Sequence, residues 1–281
     1  MYTTTKELLR RASDEGYAVG AFNAENSEFV WAIIAAAEAM RAPVIIQTTP
    51  GTLRYLGPEY FAGMVTRAAD EASVPVALHL DHGSGREIAE RCLACGYSSI
   101  MIDGSALPYE ENAALSKEVC LIAAARGIPV EGELGVVGGK EDDTRADHVK
   151  YTDPEQAADF ARRTEVSSLA IAVGTAHGFY KTDPILDLDL ITRTKKMVDI
   201  PLVLHGASGL SDETVSHAVK LGMAKVNFAT ELRDVYTKAV REFLNANPEA
   251  FDPKKYGDAA RVAVRELVKH KISVCLSEGR A

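Results

Sequence analysis

Cysteine is scarce in this chain, and basic clusters, long apolar runs and flexible linkers are missing from it. Four cysteines in 281 residues are too few for a disulfide framework and fit a reducing compartment. The formal net charge is −9, which argues against a nucleic-acid or membrane surface, because both need clustered Lys and Arg. No apolar run reaches transmembrane length, and an amphipathic helix follows the first residues in place of a signal peptide. We therefore expect a cytoplasmic protein with no nucleic-acid and no membrane partner.

Cys92 and Cys95 form the one cysteine pair with a motif-like spacing. No second pair completes a four-cysteine zinc site. The pair also lies near the end of a predicted helix, whereas a redox pair sits at a helix start. We interpret both residues as helical cysteines near the core.

Eight apolar runs of strand length alternate with helical stretches along the chain. The runs are near-continuous in Val, Ile and Leu, as in parallel strands that are covered on both faces. This pattern, eight times over in about 250 residues, predicts an α/β fold: a single (β/α)8 TIM barrel over residues 1–281. The predicted strands are Ala18–Phe22, Val44–Thr48, Val76–Asp81, Ser99–Gly104, Val130–Leu134, Leu169–Gly174, Leu202–Gly206 and Lys225–Ala229. An extra N-terminal helix (Thr4–Glu15) and a C-terminal helical extension (Pro253–Ser277) flank the barrel.

Three histidines stand at or just after the ends of predicted strands, and each is followed by glycine. They are His82, His177 and His205. The carboxyl ends of barrel strands form the active face, so the three imidazoles should meet there. Three histidines with an open fourth position are the ligand set of a catalytic zinc. The sequence therefore predicts a metal centre on this rim.

Carboxylates are predicted on the same rim. Asp81 precedes His82 and points elsewhere, so it can face a substrate as a proton donor. Asp103 ends the fourth strand, and Glu131 and Glu133 share one face of the fifth. One or more of these should orient a ligand histidine. For Glu131 we favour a simpler role as a hydrogen-bonded rim residue.

Two segments after the seventh and eighth strands favour phosphate binding, Gly206–Gly209 and Asn227–Thr230. Barrels commonly hold phosphate there, with backbone N–H groups and a helix N-terminus. Ser208 and Thr230 add hydroxyl donors. A polar stretch that opens at Gly138 follows the fifth strand, and it is either a mobile loop that carries a base or a solvated surface loop.

Together these segments closely resemble the class II, zinc-dependent ketose-bisphosphate aldolases. The resemblance covers nearly the whole chain in order, and within the family it is strongest to the tagatose-bisphosphate branch. The matching segments are His79–His82, Met101–Gly104, Glu131–Gly135, Gly138–Asp142, Gly174–Gly178, Leu204–Gly209 and Asn227–Thr230.

The resemblance implies site residues and a reaction. It implies Zn²⁺ on the three rim histidines, Asp81 as proton donor, Glu141 as the base on a mobile loop, and Asn227 as a holder of the enediolate. A ketose 1,6-bisphosphate of tagatose or fructose type would be cleaved reversibly to dihydroxyacetone phosphate and glyceraldehyde 3-phosphate through a zinc-stabilised enediolate. Dihydroxyacetone phosphate would be bound by Gly178, Gly206, Ala207, Ser208, Asn227, Phe228, Ala229 and Thr230.

The family pattern also implies partners, and this chain departs from it at three positions. It implies a monovalent cation, Na⁺ or K⁺, near the phosphate loops, and a homodimer or homotetramer. Lys140 stands where Gln or Glu is usual, and Phe228 replaces a smaller aliphatic residue. Lys254 stands where an arginine often reaches the second phosphate in a neighbouring subunit, and lysine lacks the bidentate fork.

Three other functions compete with the zinc aldolase. A Schiff-base aldolase needs a lysine inside a strand and facing the lumen, whereas Lys225 comes at the start of its predicted strand. A zinc hydrolase on this fold more often has a His-x-His pair ending the first strand, and Ala18–Phe22 has none. The third alternative is a non-catalytic barrel that supports a partner aldolase. The complete set of histidines and Asp81 argues against it. Fructose and tagatose bisphosphates differ only at C4, where Gln47, Thr48, Thr49 and Asp81 are candidate readers.

Overall fold

The computed structural model describes residues 1–141, 144–146, 149–178, 180 and 184–281, with the side chains of 140, 141 and 144–146 outside that description. The strands are β1 (Val19–Asn23), β2 (Val44–Thr48), β3 (Val76–Gly83), β4 (Ser99–Ile102), β5 (Val130–Leu134), β6 (Gly138–Glu141), β7 (Thr144–Ala146), β8 (Ser168–Ile171), β9 (Ala176–His177), β10 (Leu202–Leu204) and β11 (Met223–Phe228). The helices are α1 (Thr5–Glu15), α2 (Ser27–Met40), α3 (Pro50–Leu56), α4 (Pro58–Glu71), α5 (Arg86–Cys95), α6 (Tyr109–Ala124), α7 (Pro154–Thr164), α8 (Leu188–Met197), α9 (Asp212–Lys220), α10 (Thr230–Ala246) and α11 (Pro253–Val274).

Eight parallel strands close into a barrel in the order β1-β11-β10-β8-β5-β4-β3-β2. The predicted TIM barrel is therefore confirmed, together with the extra N-terminal helix and the C-terminal helical extension. Strand positions agree with the prediction to within a few residues at each end. The largest difference is at the sixth barrel strand, where β8 ends at Ile171 and the prediction ended at Gly174.

The lumen is apolar at the N-terminal end of the barrel and polar at the other end. Alternate residues of the strands, such as Val19, Ala21 and Ile45, pack against Leu9 and Ala12 of α1, which covers that end. Larger apolar side chains on the opposite strand faces pack against the outer helices. The polar residues further along the same strands are thus gathered into one half of the lumen, which is where a site can form.

A bulge in β3 brings two neighbouring side chains into the same space. The register between β3 and β4 shifts between Leu80 and Gly83, and His82 has a φ of 48°. That left-handed backbone is unfavourable for a residue with a Cβ, and such conformations occur at functional sites. The bulge allows Asp81 and His82 both to face the lumen, although neighbours on a regular strand point to opposite faces.

A small sheet in the order β7-β6-β9 lies beside the mouth of the barrel. The polar stretch after β5, predicted as a loop, therefore contains two strands. β6 pairs with β9 through Gly139 and His177. A Cβ at Gly139 would lie 2.2 Å from the carbonyl oxygen of His177, so this close pairing requires glycine. Among the described helices, none is both long and apolar enough to cross a membrane.

Candidate active site

Three imidazoles meet at the polar end of the lumen, and they are the three that the sequence predicted. One ring nitrogen from each of His82, His177 and His205 lies within 4.8 Å of the others. His82 ends β3, His205 follows β10, and His177 lies on β9 rather than directly at the end of its barrel strand. His82 is 7% exposed and His205 is fully buried. The arrangement provides three convergent nitrogen ligands, of which His177 is half-buried.

Two carboxylates determine which ring nitrogen of His82 and which of His205 faces the centre of the site. Nδ1 of His82 donates to Oδ2 of Asp103 over 2.8 Å, and Nε2 of His205 donates to Oε1 of Glu131 over 2.8 Å. The other nitrogens, Nε2 of His82 and Nδ1 of His205, then face each other at 3.0 Å. Two lone pairs that converge at this distance favour a bound cation, so the residues fit a metal ion.

The protonation states of the histidines and of Asp103 are also those that suit a bound metal ion. Burial, then the neighbouring imidazoles, hold the pKa of His177 well below its ordinary value. Burial likewise lowers the pKa of His205. Burial raises the pKa of Asp103, but the hydrogen bond and charge of His82, together with hydrogen bonds from Ser105, outweigh burial and hold the pKa below its ordinary value. Neutral imidazoles beside ionised carboxylates are the state that a divalent metal requires.

Glu131 has a larger role than a hydrogen-bonded rim residue, so that part of the sequence interpretation is wrong. It lies between His205 and Lys225, whose Nζ is 2.9 Å from Oε2 of Glu131. Burial raises the pKa of Glu131, but the Lys225 charge and the His205 hydrogen bond bring it below its ordinary value. Alternation along the strand could not identify this contact, because its partners come from other strands.

Lys225 is the third residue of β11, fully buried and directed into the lumen, and not at the strand start as predicted. The position therefore does not exclude a Schiff-base lysine. The environment does, because Lys225 is ion-paired with Glu131 and closed off from solvent, whereas a Schiff-base lysine must reach its substrate as a free amine.

His79 is a core histidine, as predicted. Its Nδ1 lies 2.7 Å from the hydroxyl of Ser99, which lies 2.8 Å from the hydroxyl of Thr5 in α1. Burial, then the charge of Lys225, lowers the pKa of His79 to about 3. The polar groups below the metal-binding rim are therefore linked through to the helix that covers the other end.

Asp81 accepts hydrogen bonds from three side-chain amides. Asn23 and Gln47 donate to Oδ2 over 3.0 and 3.1 Å, and Asn227 donates to Oδ1 over 3.1 Å. Burial raises the pKa of Asp81, but His82, His205 and Lys225 outweigh burial and lower it to about 2. Sequence reasoning missed Asn23. It lies two residues after Ala21 and four after Val19, and since both face the lumen, alternation along the strand places Asn23 there as well.

A small cavity lies between the loops that were predicted to bind phosphate. It is lined by His177 and by six of the eight predicted substrate residues: Gly178, Gly206, Ser208, Asn227, Ala229 and Thr230. The Phe228 ring instead stacks on Phe22 in the core, with centroids 5.5 Å apart, and the side chain of Ala207 is fully buried. These two residues can offer the cavity only backbone groups.

The phosphate-side loops are held by contacts of their own. Oγ of Ser208 accepts the backbone N–H of Ala229 over 3.2 Å, just before α10 begins. Glu231 accepts the N–H of Gly209 over 2.5 Å, so that amide is already engaged. At Gly206, a Cβ would lie 2.7 Å from the carbonyl oxygen of Ala176, so the loop after β10 packs closely on β9.

For Glu141, the candidate base, the structure describes the position in the chain but not the side chain. Glu141 ends β6, the strand that pairs with β9 beside His177, and its side chain lies outside the described residues, as does that of Lys140. Residues 142, 143, 147 and 148 of the predicted loop are likewise outside them. Lys254 is described: its side chain is exposed, and its Nζ lies 2.8 Å from Oδ1 of Asp252.

The four cysteines are free. Cys92 and Cys95 lie in the last turn of α5, and burial raises the pKa of Cys92 to about 12. The prediction of helical cysteines near the core is confirmed: Cys92 is buried in the core, and the half-buried Cys95 packs against it.

Comparison with known proteins agrees with this geometry. The family model described as class II fructose-bisphosphate aldolase matches residues 3–280. The structure of the YdjI aldolase from Escherichia coli is 38% identical, with a TM-score of 0.90 and full coverage of both chains. A candidate fructose-1,6-bisphosphate aldolase from Coccidioides immitis is 32% identical, with a TM-score of 0.90 over 98% of this chain and 96% of the other.

A fructose-bisphosphate aldolase from Campylobacter jejuni, 24% identical with a TM-score of 0.84 over 100% of this chain and 97% of the other, shares the fold. The family match spans almost the entire sequence, and the two nearer structures cover it at more than 30% identity. This chain therefore belongs to the class II fructose-bisphosphate aldolase family and is an aldolase.

Proposed function

We propose that this aldolase is zinc-dependent and cleaves a ketose 1,6-bisphosphate to dihydroxyacetone phosphate and glyceraldehyde 3-phosphate. The observation that carries the proposal is the convergence of three imidazole nitrogens within 4.8 Å, beside a carboxylate held by three amides. Residues 1–281 would act as one aldolase domain.

His82, His177 and His205 are the residues that would hold Zn²⁺. A zinc ion there would act as a Lewis acid for the negative charge that develops on substrate oxygens, an effect of several kcal/mol in such sites. Asp103 and Glu131 keep two of the imidazoles turned so that their lone pairs converge. The buried pair of Glu131 and Lys225 holds the carboxylate in place behind His205.

The phosphate of dihydroxyacetone phosphate would occupy the cavity between the loops after β9, β10 and β11. Backbone N–H groups and the hydroxyls of Ser208 and Thr230 are its donors, and the N-terminus of α10 adds a favourable dipole. In an acidic chain these local donors must attract the anion, since the net charge of −9 repels it. A monovalent cation, Na⁺ or K⁺, beside these loops would assist.

Two carboxylates would move protons at different atoms. In cleavage, Asp81 would take the proton of the C4 hydroxyl as the C3–C4 bond breaks, and return it in synthesis. Glu141 would remove the carbon-bound proton of dihydroxyacetone phosphate in synthesis and deliver one in cleavage. Asn227 donates to Asp81 and lines the phosphate cavity, so it would connect the two halves of the substrate.

The tagatose configuration at C4 is the one we propose, because within the family the resemblance of this chain is strongest to the tagatose-bisphosphate branch. Gln47 is the C4 reader with the clearest placement, because its amide contacts both Asp81 and Asn23. We further propose a cytoplasmic homodimer or homotetramer, with a non-catalytic companion subunit as a possible further partner. Because its own histidines and Asp81 are complete, this chain would be the catalytic subunit of such an assembly.

The test is a side-by-side cleavage assay on tagatose and fructose 1,6-bisphosphates, with elemental analysis of the same preparation. We expect about one zinc per chain, release of dihydroxyacetone phosphate from both sugars, and a higher kcat/KM for tagatose bisphosphate. Cleavage that survives removal of zinc by a chelator would contradict the metal assignment. Cleavage that appears only after a second protein is added would show that this chain needs a non-catalytic companion subunit.

A further inference from the structure

A tyrosine hydroxyl joins the backbone beside one rim histidine to the backbone beside another. The hydroxyl of Tyr180 donates to the carbonyl oxygen of Gly206 over 2.6 Å, and it accepts the backbone N–H of Ala176 over 2.8 Å. Ala176 directly precedes His177, and Gly206 directly follows His205. One side chain therefore connects the chain segments that carry two of the three imidazoles of the candidate metal site.

The two connected segments come from different sheets. His177 lies on β9 in the small sheet beside the mouth, whereas His205 follows the barrel strand β10. β9 is only two residues long and pairs with β6. A strand this short makes few ladder hydrogen bonds of its own, so contacts with other segments must hold His177 in place relative to His205. The Tyr180 hydroxyl supplies such a contact.

Close packing between the same segments leaves little room for another spacing. Gly206 has a φ of 66°, and a Cβ there would lie 2.7 Å from the carbonyl oxygen of Ala176. The Tyr180 ring extends this contact, since a Cβ at Gly209 would lie 3.3 Å from Cδ2 of the ring. Tyr180 thus contacts the loop between Gly206 and Gly209, one of the two predicted phosphate loops, near both of its ends.

The chemistry of the hydroxyl suits this connecting role. Tyr180 is half-buried and packs against the apolar core. Burial raises the pKa of Tyr180 to about 12, so its O–H is available to donate at neutral pH. The bond to Gly206 also sets the orientation of the peptide group between Gly206 and Ala207, because that group is planar. A phenylalanine ring would fill the same space but could make neither hydrogen bond.

We propose that Tyr180 is a positioning residue for the metal site, whose hydroxyl holds His177 and His205 at the separation at which both can bind one ion. The same hydroxyl holds the loop after β10 in the form that receives phosphate. Tyr180 acts through the backbone and not by contact with the metal or the substrate. The inference rests on the proposed function, because it takes the two histidines as zinc ligands. Groups that orient metal ligands typically contribute 10- to 100-fold in metal affinity or activity.

The first experiment measures the zinc affinity of Tyr180→Phe by competition with a chromogenic chelator. The Kd for zinc should rise about tenfold or more over that of the wild type. The matched control is Tyr109→Phe, which also removes the hydroxyl of a half-buried tyrosine, one that donates to Asp159 over 2.7 Å between α6 and α7. Its Kd for zinc should equal that of the wild type. An unchanged Kd in Tyr180→Phe, or an equal rise in both variants, would overturn the inference.

Cobalt gives a readout that a loss of stability alone would not change. Co²⁺ bound in place of zinc absorbs visible light, and the positions of its bands depend on ligand geometry. With the site saturated, the bands of Tyr180→Phe should shift, and those of Tyr109→Phe should coincide with the wild type. The KM for dihydroxyacetone phosphate in the hydrogen–deuterium exchange assay should also rise in Tyr180→Phe at saturating zinc. Unchanged bands together with an unchanged KM would show that Tyr180 is only a packing contact.

Amide exchange in the metal-free wild type needs no variant and therefore tests the inference even if Tyr180→Phe does not fold. The N–H of Ala176 should exchange slowly before any metal is added, because Tyr180 already holds it. Mass spectrometry with fragmentation to single residues is the measurement. Exchange at the rate of an unfolded peptide would overturn the inference. A wild type that binds neither zinc nor cobalt would instead contradict the proposed function, so the two failures are distinguishable.

Discussion

Asn227 donates a hydrogen bond to Asp81 over 3.1 Å, across the mouth of the barrel from β11 to β3. The same asparagine lines the cavity between the phosphate loops. Thus one side chain contacts both the group proposed to move the C4 proton and the space proposed for dihydroxyacetone phosphate. The two halves of the reaction are coupled through the position of Asp81, which Asn23 and Gln47 hold from β1 and β2.

The Asn23 side chain on β1 should affect the rate of cleavage, although it contacts neither the proposed zinc nor the proposed substrate. Asn23→Ala removes one of the three amides on Asp81, and a hydrogen bond to a charged group contributes roughly 1.5–3 kcal/mol. We expect kcat for cleavage to fall by about 10- to 100-fold, with zinc content unchanged. The control is Asn245→Ala, an exposed amide on α10. Wild-type kcat in Asn23→Ala would show that two amides suffice.

The zinc content of the purified protein should depend on the three rim histidines, His82, His177 and His205. His205→Ala removes one nitrogen ligand and the hydrogen bond that this ligand donates to Glu131, so the purified protein should lose most of its zinc and its cleavage activity. The matched control is His270→Ala, an exposed histidine of α11 whose Nε2 lies 2.8 Å from Asp212. Elemental analysis is the measurement. A fully zinc-loaded and active His205→Ala protein would rule out this ligand set.

The buried pair below the metal rim should contribute to folding. Glu131→Gln keeps an acceptor for His205 but leaves the Lys225 ammonium buried without a counter-charge, which costs about 3–5 kcal/mol in such pairs. Adding Lys225→Met should recover much of this loss, and urea unfolding measures both free energies. For comparison, Glu118→Gln breaks a surface pair with Arg86 and should cost about 1 kcal/mol or less. No recovery in the double variant would mean that the two side chains act independently.

Native cysteines should react slowly and without effect on the metal. Burial raises the pKa of Cys92, Cys120 and Cys275 to about 12, so at neutral pH these thiols stay protonated. Iodoacetamide at pH 7.5 should first label Cys95, which is half-buried, and zinc content should not change. Unfolded protein is the control, in which all four should react. Loss of zinc on labelling of Cys92 or Cys95 would reopen a cysteine metal site.

Much of the fold could be predicted because its signals are local. Continuous apolar runs mark buried parallel strands, and their order with the helices predicts the barrel. The meeting of the three histidines could also be predicted, because a barrel brings the carboxyl ends of all its strands to one rim. Alternation from Val19 and Ala21 would likewise have placed Asn23 in the lumen, but a lone asparagine carries no metal or phosphate signal by itself.

The missed features depend on contacts between distant parts of the chain. The pair of Glu131 and Lys225 joins strands that are far apart in sequence, and no local pattern encodes it. The β3 bulge at His82 is a response to packing against β4, so regular alternation predicted Asp81 and His82 on different faces. Similarly, the Gly138–Glu141 strand is paired with both β7 and β9, whereas its polar sequence indicated a loop.

The most direct test of the account compares two activities of a single variant, Asp81→Ala. Hydrogen–deuterium exchange into dihydroxyacetone phosphate without aldehyde reports removal of the carbon-bound proton, which we assign to Glu141. Bisphosphate cleavage also needs proton transfer at the C4 hydroxyl, which we assign to Asp81. Asp81→Ala with full zinc should therefore keep measurable exchange and lose cleavage by about 10²- to 10⁴-fold, whereas Glu141→Ala should lose both. Zinc-loaded Asp81→Ala that fails at exchange, beside a Glu141→Ala protein that exchanges normally, would contradict the account.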